Sequence, residues 1–576
     1  MKIIIDGKTY LARKGETILE VAQRNHLEIP ALCYHSDLKI KSNCRLCLVE
    51  IRGKKGLFPS CSTIVEPGME IITDSPRIRR ARKINLELIF AQHREECQDC
   101  LWGFRCQLLN FARKYKIKID RFEDRKKNYP VYQFGPAIIF DSSKCIDCRN
   151  CLEVCQKQGV GFLETKEKGA FFRIVPSSDK NKDCIYCGQC ALHCPAGAFE
   201  GVGEFEEVEK PLKDKNKIVI FQYAPSIRTT IGEEFGFAYG KVLTNRLVAG
   251  IKKLGVDKVF DVSVGADFTT VEEAKELAER IKEKRDLPMF TSCCPSWVKF
   301  VEFYYPQFIP NLTTVRSPHI ILGGLIKTYW AEKVKINPKK IIVVSIMPCL
   351  AKKYEITRNE LFIQDKIKPV DYVLTTRELA YLFHRHQIDL RKIKPRKPDN
   401  PLGFPSGAGV IYGASGGVME SALRTLAKNI TGKKLGKIKF KEVDGIKKAR
   451  VKIGSRSLKI GVINGIGKAK EILEKLKINP SLFDYLEVMA CWDGCIGGGG
   501  QPVPTNEEIR KKRAEGLRQI DKKKKVRIAQ ENPIVKKVYQ EFLTEPDKIH
   551  SLCHTFYSHK PRVGFKILSA NQKNNH

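Results

Sequence analysis

Cysteine placement constrains this chain more than any other feature. There are 21 cysteines in 576 residues. Four lie near the amino terminus (Cys33, Cys44, Cys47, Cys61), three follow a histidine (His93, then Cys97, Cys100, Cys106), and eight form two matching runs (Cys145, Cys148, Cys151, Cys155; Cys184, Cys187, Cys190, Cys194). Five more lie in the second half (Cys293, Cys294, Cys349, Cys491, Cys495), which leaves only Cys553 outside a group. Repeated C-x2-C spacings gather thiolates around metal; they are not the pattern of a disulfide scaffold. A reducing compartment fits this usage. Residues 1–7 read as strand and turn, without an apolar signal region or a twin-arginine leader. Nowhere is there a run of about 18 apolar residues to cross a bilayer. The expected address is cytoplasmic.

The chain is too long for one ordinary core, so several domains are expected. In the first segment Ile3 and Ile5 alternate before Gly7, a hairpin pattern, and 49–51 reads as a strand. Its cysteines are spaced C-x10-C-x2-C-x13-C. Three clustered cysteines and one distant resemble plant-type ferredoxins, with a longer first gap, and imply a 2Fe-2S cluster on Cys33, Cys44, Cys47 and Cys61. A zinc ribbon fits the uneven spacing less well. The next unit, His93-x3-Cys97-x2-Cys100-x5-Cys106, follows a stretch of helical periodicity over 78–92 (Ile84, Leu88, Ile89). One imidazole and three thiolates suit zinc as well as iron. The charged segment from about 107 to 130 reads as a connector. The two C-x2-C-x2-C-x3-C runs form an internal repeat resembling the bacterial two-cluster ferredoxins, in which the fourth cysteine of each run serves the other cluster. That implies one 4Fe-4S cluster on Cys145, Cys148, Cys151 and Cys194, and a second on Cys155, Cys184, Cys187 and Cys190. Pro195 follows the last cysteine; Gln156 holds that place in the first run.

From about residue 210 strands and helices alternate. Strands are expected at 217–222, 259–261, 290–292, 341–346, 458–463 and 485–489, and helices at 270–285, 318–334 and 469–476. Strands that run into cofactor loops fit an α/β architecture with a cleft at the strand ends. Four pieces carry the chemistry: Thr291-Ser292-Cys293-Cys294-Pro295-Ser296-Trp297, Met347-Pro348-Cys349-Leu350-Ala351-Lys352, Met489-Ala490-Cys491-Trp492-Asp493-Gly494-Cys495, and the glycine run 497–500 before Gln501-Pro502. The glycines are expected to let backbone crowd a bulky inorganic group. Four of these cysteines, Cys294, Cys349, Cys491 and Cys495, suffice for one four-iron cluster, which leaves Cys293 a free thiol. Zinc sites usually draw ligands from local pairs, and here only Cys491 and Cys495 are close in sequence.

These motifs resemble the catalytic domain of FeFe-hydrogenases. The resemblance covers roughly residues 1–562 and implies an H-cluster: a 4Fe-4S cube sharing a cysteine sulfur with a two-iron unit that carries CO, cyanide and azadithiolate. It also implies iron at the His93 unit. Ala224, Pro225 and Ser226 fall at backbone positions near the two-iron unit, Lys352 matches a lysine that bonds a cyanide, and Met347 and Met489 pack against the same unit. Cys293 matches the proton-exchanging thiol. Glu273, Glu276 and Arg280, spaced i, i+3, i+7, share a helix face, which alone is usually a solvated face. Here they coincide with the family's proton relay, as does Thr313, in the order Cys293, Glu273, Thr313, Glu276, Arg280, water. The chain departs from the usual family residues at Trp492-Asp493, His319, Arg316 and Tyr412; His319 and Tyr412 are placed among the cofactor-binding residues.

The fold expected is therefore multidomain α+β. It comprises a β-grasp 2Fe-2S ferredoxin domain (1–78), a one-His/three-Cys 4Fe-4S segment (79–130), a two-cluster bacterial ferredoxin domain (131–208), an α/β two-lobed H-cluster domain (209–505), a small-subunit-like helical pair (506–562) and a tail (563–576). Glu531-Asn532-Pro533 and His554-Thr555-Phe556-Tyr557 carry the small-subunit likeness, and Cys553 reads as a buried structural thiol. The formal net charge of +37 fits steering of an acidic partner, for which the family implies ferredoxin, or lysine enrichment without function. The functions to weigh are a ferredoxin-linked hydrogenase, the hydrogen-activating subunit of an NAD(P)-linked or electron-bifurcating complex, and a non-catalytic sensory or iron–sulfur assembly relative. The sequence carries no flavin or nicotinamide fingerprint, so the second would need partner subunits. The retained Cys293, Lys352 and relay residues argue against the third. The family implies dedicated maturases for the two-iron unit.

Overall fold

The computed structural model describes residues 1–93, 97, 100–103, 106–118, 121–126, 128–363 and 366–569. Residues 570–576, expected to fray, lie outside the described residues, as do 119–120 and 127 of the expected connector.

In the first domain Asp6-Gly7, both at positive φ, make the two-residue turn that a tight hairpin requires. It joins strands Lys2–Ile5 and Lys8–Leu11 with Ile5 opposite Lys8. Ile3 and Ile5 turn inward and are buried. The sheet has the order Lys8–Leu11, Lys2–Ile5, Glu70–Ile72, Leu48–Ile51, Phe58–Pro59, with its central pair parallel. Helix Ile18–Arg24 starts at a Thr17/Glu20 capping box and buries Ile18, Leu19, Val21 and Ala22. The next helix, Pro76–Phe90, sends buried Arg82 back to the carbonyls of Leu46 and Leu48, which ties it to the cysteine loop. His93 stands just beyond its end.

The expected connector opens as a helix, Gln107–Lys114, with Cys106 at its N-cap and Leu108 and Ala112 buried. The charged run from Arg113 onward masked the apolar Leu108, Leu109, Phe111 and Ala112 before it. The third domain is an antiparallel sheet in the order Phe199–Gly201, Ile138–Asp141, Val131–Phe134, Lys566–Leu568. Its last strand comes from the expected tail: Leu568 is buried beside Val131 and Ile139, so this part of residues 563–576 is built into the fold.

The catalytic domain has two sheets. One is wholly parallel, ordered Lys258–Asp261, Ile218–Tyr223, Ile341–Met347, Tyr372–Thr375. In the other, Met289–Phe290, Tyr485–Met489 and Arg456–Asn464 are parallel, and Ile446–Ile453 and Lys441–Val443 continue antiparallel. The Val262–Glu283 helix begins earlier than periodicity indicated, because Asp261 caps it through Ser263 N–H. The C-terminal segment holds three helices, Glu507–Lys523, Pro533–Glu541 and Pro546–Cys553, where a pair was expected; each of the last two opens with proline. No helix among the described residues is long and apolar enough to cross a membrane.

Candidate active site and electron path

The carboxyl ends of parallel strands from both sheets meet at one place. Ile341–Met347 runs into Pro348-Cys349, Tyr485–Met489 into Ala490-Cys491, Met289–Phe290 toward Cys293-Cys294, and Ile218–Tyr223 into Ala224-Pro225-Ser226. This is where an open α/β sheet offers its loops to a ligand. Cys294, Cys349, Cys491 and Cys495, scattered in sequence, converge there. Burial, then the charges of Cys349, Cys294 and Cys495, push the Cys491 thiol well up. Burial also raises Cys349, with Cys294 and Cys495 adding to it. Cys495 is pushed up to about 12 by burial and then by Cys294. Buried thiols that repel one another's charge need a cation beside them to become thiolates, and four of them together suit a metal centre. Cys293 and Cys495 keep accessible surface although burial dominates their chemistry, as thiols facing internal space do. Ser226 Oγ is buried without a hydrogen-bond partner among the described residues. These features fit a cluster-bearing group.

The glycine run packs differently from expectation. A Cβ on Gly498 would stand 2.2 Å from the Pro348 carbonyl oxygen, and one on Gly499 2.6 Å from the Gly188 Cα. These glycines close on protein backbone, namely the Cys349 loop and the loop after Cys187.

Lys352 and Cys293 meet directly. Lys352 Nζ donates to the Cys293 carbonyl at 3.1 Å and to Glu355 Oε2 at 2.7 Å. Burial works against the lysine charge, but Glu355, with Cys349 and Cys293, holds it above its ordinary range. Burial would raise the Glu355 carboxyl, yet Lys352 and His319 bring it down to about 2. His319 Nε2 lies 2.5 Å from Glu355 Oε2 and its Nδ1 3.1 Å from Ser345 Oγ; burial and then Lys352 lower its pKa against the pull of Glu355. Glu355 escaped the sequence reading, although its position three residues after Lys352 on one helix was the signal.

Glu273, Glu276 and Arg280 lie along the Val262–Glu283 helix. Glu273 is 1% exposed and is pushed up to about 8, by burial against the Tyr485 hydrogen bond and with the help of Glu276 and Glu487. Its charge acts on Cys293, whose thiol burial already raises well above the ordinary value. Among the described residues Glu273 accepts its hydrogen bond from Tyr485 OH at 2.5 Å and none from Thr313. Thr313 Oγ1 donates instead to Glu276 Oε2 at 2.7 Å, and Arg280 Nη2 to Glu276 Oε1 at 2.5 Å. Tyr412 OH lies 2.8 Å from Thr270 Oγ1 on the same helix. Arg228 Nε donates to the Pro225 carbonyl, and Ala224 N–H to the Ile346 carbonyl. Met347 and Met489 are both buried, and Met489 shares a core with Cys294, Cys349 and Tyr412.

The remaining cysteines other than the buried Cys553 gather in four sets. Cys151 feels Cys145, Cys148 and Cys194; Cys190 feels Cys187, Cys184 and Cys155. Cys194 thus lies near the first run and Cys155 near the second. Cys187 also feels Cys294, so the second set adjoins the catalytic cysteines, and Cys151 feels Cys190. His93, Cys97, Cys100 and Cys106 line one pocket, with His93 Nδ1 2.9 Å from the Lys144 carbonyl. Cys33 adjoins Cys44, Cys47 adjoins Cys61, and Cys44 acts on both members of the second pair. One apolar cluster joins Cys33 and Cys44 to Cys148, with Cys106 packed against it.

The sequence of residues 217–499 matches the family described as iron-only hydrogenase large subunit, C-terminal domain. Residues 1–76 match a 2Fe-2S iron–sulfur cluster binding domain, 144–198 a 4Fe-4S dicluster domain, and 507–560 the iron hydrogenase small subunit. The NADP-reducing hydrogenase subunit HndD of Solidesulfovibrio fructosivorans is 38% identical over 584 residues, covering 98% of this chain and 100% of the relative. The chain belongs to the iron-only, or FeFe-, hydrogenase family. Iron hydrogenase 1 of Clostridium pasteurianum is 34% identical over 96% of this chain and 99% of its own length. A solved structure of a Chlamydomonas reinhardtii FeFe-hydrogenase variant superposes with a TM-score of 0.57 at 36% identity, covering 62% of this chain and 99% of the other. This family membership makes the chain an oxidoreductase acting on hydrogen, with 2Fe-2S, 4Fe-4S dicluster and H-cluster domains.

Proposed function

We propose that this hydrogenase interconverts protons and electrons with H2 at an H-cluster held by Cys294, Cys349, Cys491 and Cys495. The observation that carries the reading is the meeting of those four thiols with Cys293 and Lys352 at the strand ends. When bound, the cofactor supplies the redox chemistry of hydrogen. Around it Lys352, fixed by Glu355, offers a cation to an anionic ligand, and Ser226 Oγ offers an unspent hydrogen bond. Cys293 carries a proton as a neutral thiol. Glu273, protonated near neutral pH, is positioned to exchange with it, and Thr313 and Glu276 continue the path. Met347, Met489 and Tyr412 shape the apolar wall. The adjoining Cys155/Cys184/Cys187/Cys190 set and then the Cys145/Cys148/Cys151/Cys194 set would hold 4Fe-4S clusters, which would supply an electron path to the Cys294 set. Two entrances join there, a 2Fe-2S cluster on Cys33, Cys44, Cys47 and Cys61 and a third accessory 4Fe-4S cluster on His93, Cys97, Cys100 and Cys106. An acidic ferredoxin in the cytoplasm suits the net charge of +37, and maturases supply the two-iron unit. The likeness to an NADP-reducing hydrogenase subunit supports a second reading, in which partner subunits carry the nicotinamide chemistry; co-purification of a flavoprotein decides between the two.

The test is infrared spectroscopy of anaerobically matured protein followed by an H2 assay on the same sample. The native sequence should show CO and cyanide bands with turnover. Cys293→Ala should keep the bands and lose turnover by about 100-fold or more, the scale of a lost general acid–base. Missing bands, with a control enzyme matured, would remove the H-cluster assignment. Full turnover in Cys293→Ala would remove the thiol from the proton path.

A further inference from the structure

Glu276 is a fork. Its Oε1 receives Arg280 Nη2, and its Oε2 receives the hydroxyls of Thr313 at 2.7 Å and Thr314 at 3.0 Å. Arg280 does not pass a proton onward. A guanidinium has five donors, no acceptor, and stays protonated across the working range of proteins. Arg280 is also 3% exposed, and its Nη1 and the remaining Nη2 hydrogen go to the carbonyls of Asp286, Pro310 and Leu312, while its Nε is buried without a partner among the described residues. It holds Glu276 in place.

The other branch leads outward. Thr314 Oγ1 lies 2.8 Å from His554 Nδ1, and His554 Nε2 lies 3.2 Å from Glu272 Oε2. Glu272 also accepts from Lys275 Nζ at 2.8 Å and from Tyr539 OH. The His554 side chain is 16% exposed and that of Lys275 45%, so this branch reaches water. Imidazole is the side chain that gains and loses a proton near neutral pH.

We infer that protons enter and leave the relay through Thr314 and His554, with Glu272 as the fixed carboxylate that orients the imidazole. The C-terminal segment thus supplies a proton carrier that the Val262–Glu283 helix lacks. The inference rests on the proton-relay reading proposed above.

The proton count balances along this file. With Glu276 protonated, its carboxyl O–H donates to Thr314 Oγ1, the Thr314 hydroxyl donates to the bare Nδ1 of neutral His554, and Nε2–H donates to Glu272. Passing one proton down the file leaves a Glu276 carboxylate accepting from Thr314, and Thr314 accepting from Nδ1–H of an imidazolium. Loss of one imidazolium proton to water, with reorientation of ring and hydroxyl, resets it. Glu272 is suited to the anchoring role: burial would raise it, but His554 and Lys275 hold it down to about 2, so it stays an anion. The other groups facing His554 are Tyr539 through Glu272, the stacked ring of His550 at 5.9 Å, and Arg316, which donates to the His554 backbone carbonyl and not to the ring.

The experiment compares matured full-length protein of native sequence with His554→Ala, and with His554→Gln should the alanine variant fail to fold. Turnover should fall about tenfold or more with a larger solvent isotope effect, and imidazole added to the buffer should restore most of it in His554→Ala. A second readout needs no turnover: infrared pH-difference spectra follow the protonated carboxyl band of Glu276, identified by its loss in Glu276→Gln. Removing the imidazole that the Thr314 hydroxyl meets should move the band's midpoint by about one pH unit. Native turnover and isotope effect in both His554 variants would overturn the inference. So would a fall in turnover with no imidazole rescue and an unmoved Glu276 midpoint, which is the signature of a packing role. Full turnover in Cys293→Ala would instead sink the underlying relay reading, whatever His554 does.

Discussion

At Glu273 burial outweighs every neighbour. Tyr485 and Arg280 favour its carboxylate, Glu276 and Glu487 oppose it, and the carboxyl ends at about 8. A carboxyl raised in the folded state stabilises the fold fully below its unfolded value, and that contribution is lost as pH rises through 8, since the unfolded chain then releases the proton first. Glu273→Gln keeps an acceptor for Tyr485 and removes the titration. Its apparent Tm should match the native protein near pH 4.5 and exceed it at pH 9, where the native fold has lost stability on the order of a few kcal/mol. Thermal unfolding at the two pH values checks this; a lower Tm at pH 9 would mean that the native site pairs the carboxylate with a cation. The cysteine groups were legible from spacing, while the i, i+3, i+7 file showed only a shared helix face until the family resemblance singled it out. Tyr485 and His554 were not legible, because what gives each its role is a contact made in space, whereas Glu355 carried a local signal three residues after Lys352. Tyr485 reaches Glu273 across 212 positions and His554 reaches Glu272 across 282, and no local pattern encodes such a meeting.

The Val262–Glu283 helix carries the relay on one face and packs on the neighbouring Pro318–Leu325 helix through another. Gly265 makes that approach possible: a Cβ there would stand 2.1 Å from the Pro318 carbonyl oxygen and 2.9 Å from Leu322 Cβ. Backbone cannot yield as a side-chain tip does, so the two helices must separate. Gly265→Ala should cost about 1–3 kcal/mol, as overpacking of a filled core does, and lower turnover by displacing Glu273 and Glu276 from their partners. Unfolding and activity of the same sample measure both; an unchanged Tm would show that the helices slide apart freely. Elements of this kind were read from periodicity, which located the strands feeding the ligand loops. It failed where a signal was diluted by its neighbours. The Gln107–Lys114 helix was lost beside a charged run, and the Lys566–Leu568 strand is too short to show a period and exists only because Val131–Phe134 pairs with it.

At the scale of the molecule, the first domain must sit against the dicluster and catalytic domains for electrons to pass. Lys41 bonds Glu153 at 2.6 Å, Asn43 donates to the Asp147 carbonyl, and Lys157 to the Asp37 carbonyl. Arg510 adds a three-way tie. Its Nη1 lies 2.6 Å from Asp37 of the first domain and its Nε 2.8 Å from Asp493, two residues before Cys495, while Arg510 itself belongs to the C-terminal segment. Beside it the His35 and His193 rings approach to 4.3 Å, and Trp492 meets His193 edge-on at 5.5 Å. The unusual Trp492-Asp493 pair thus serves docking, a role invisible while it was compared only with residues around the cofactor. The Arg510 and Asp37 side chains are 6% and 12% exposed and that of Asp493 is 39%, so removing the cation leaves the nearly buried Asp37 carboxylate without it while Asp493 stays in water, a loss well below the about 3–5 kcal/mol of a fully buried pair. Arg510 touches none of the ligand thiols, so Arg510→Ala should retain all clusters. It should release an amino-terminal fragment faster under limited proteolysis and weaken the magnetic coupling between the 2Fe-2S cluster and its neighbour in electron paramagnetic resonance. If both stay at native values, the Lys41, Asn43 and Lys157 contacts alone hold the domain, and the carboxylates have been satisfied by solvent reaching the interface.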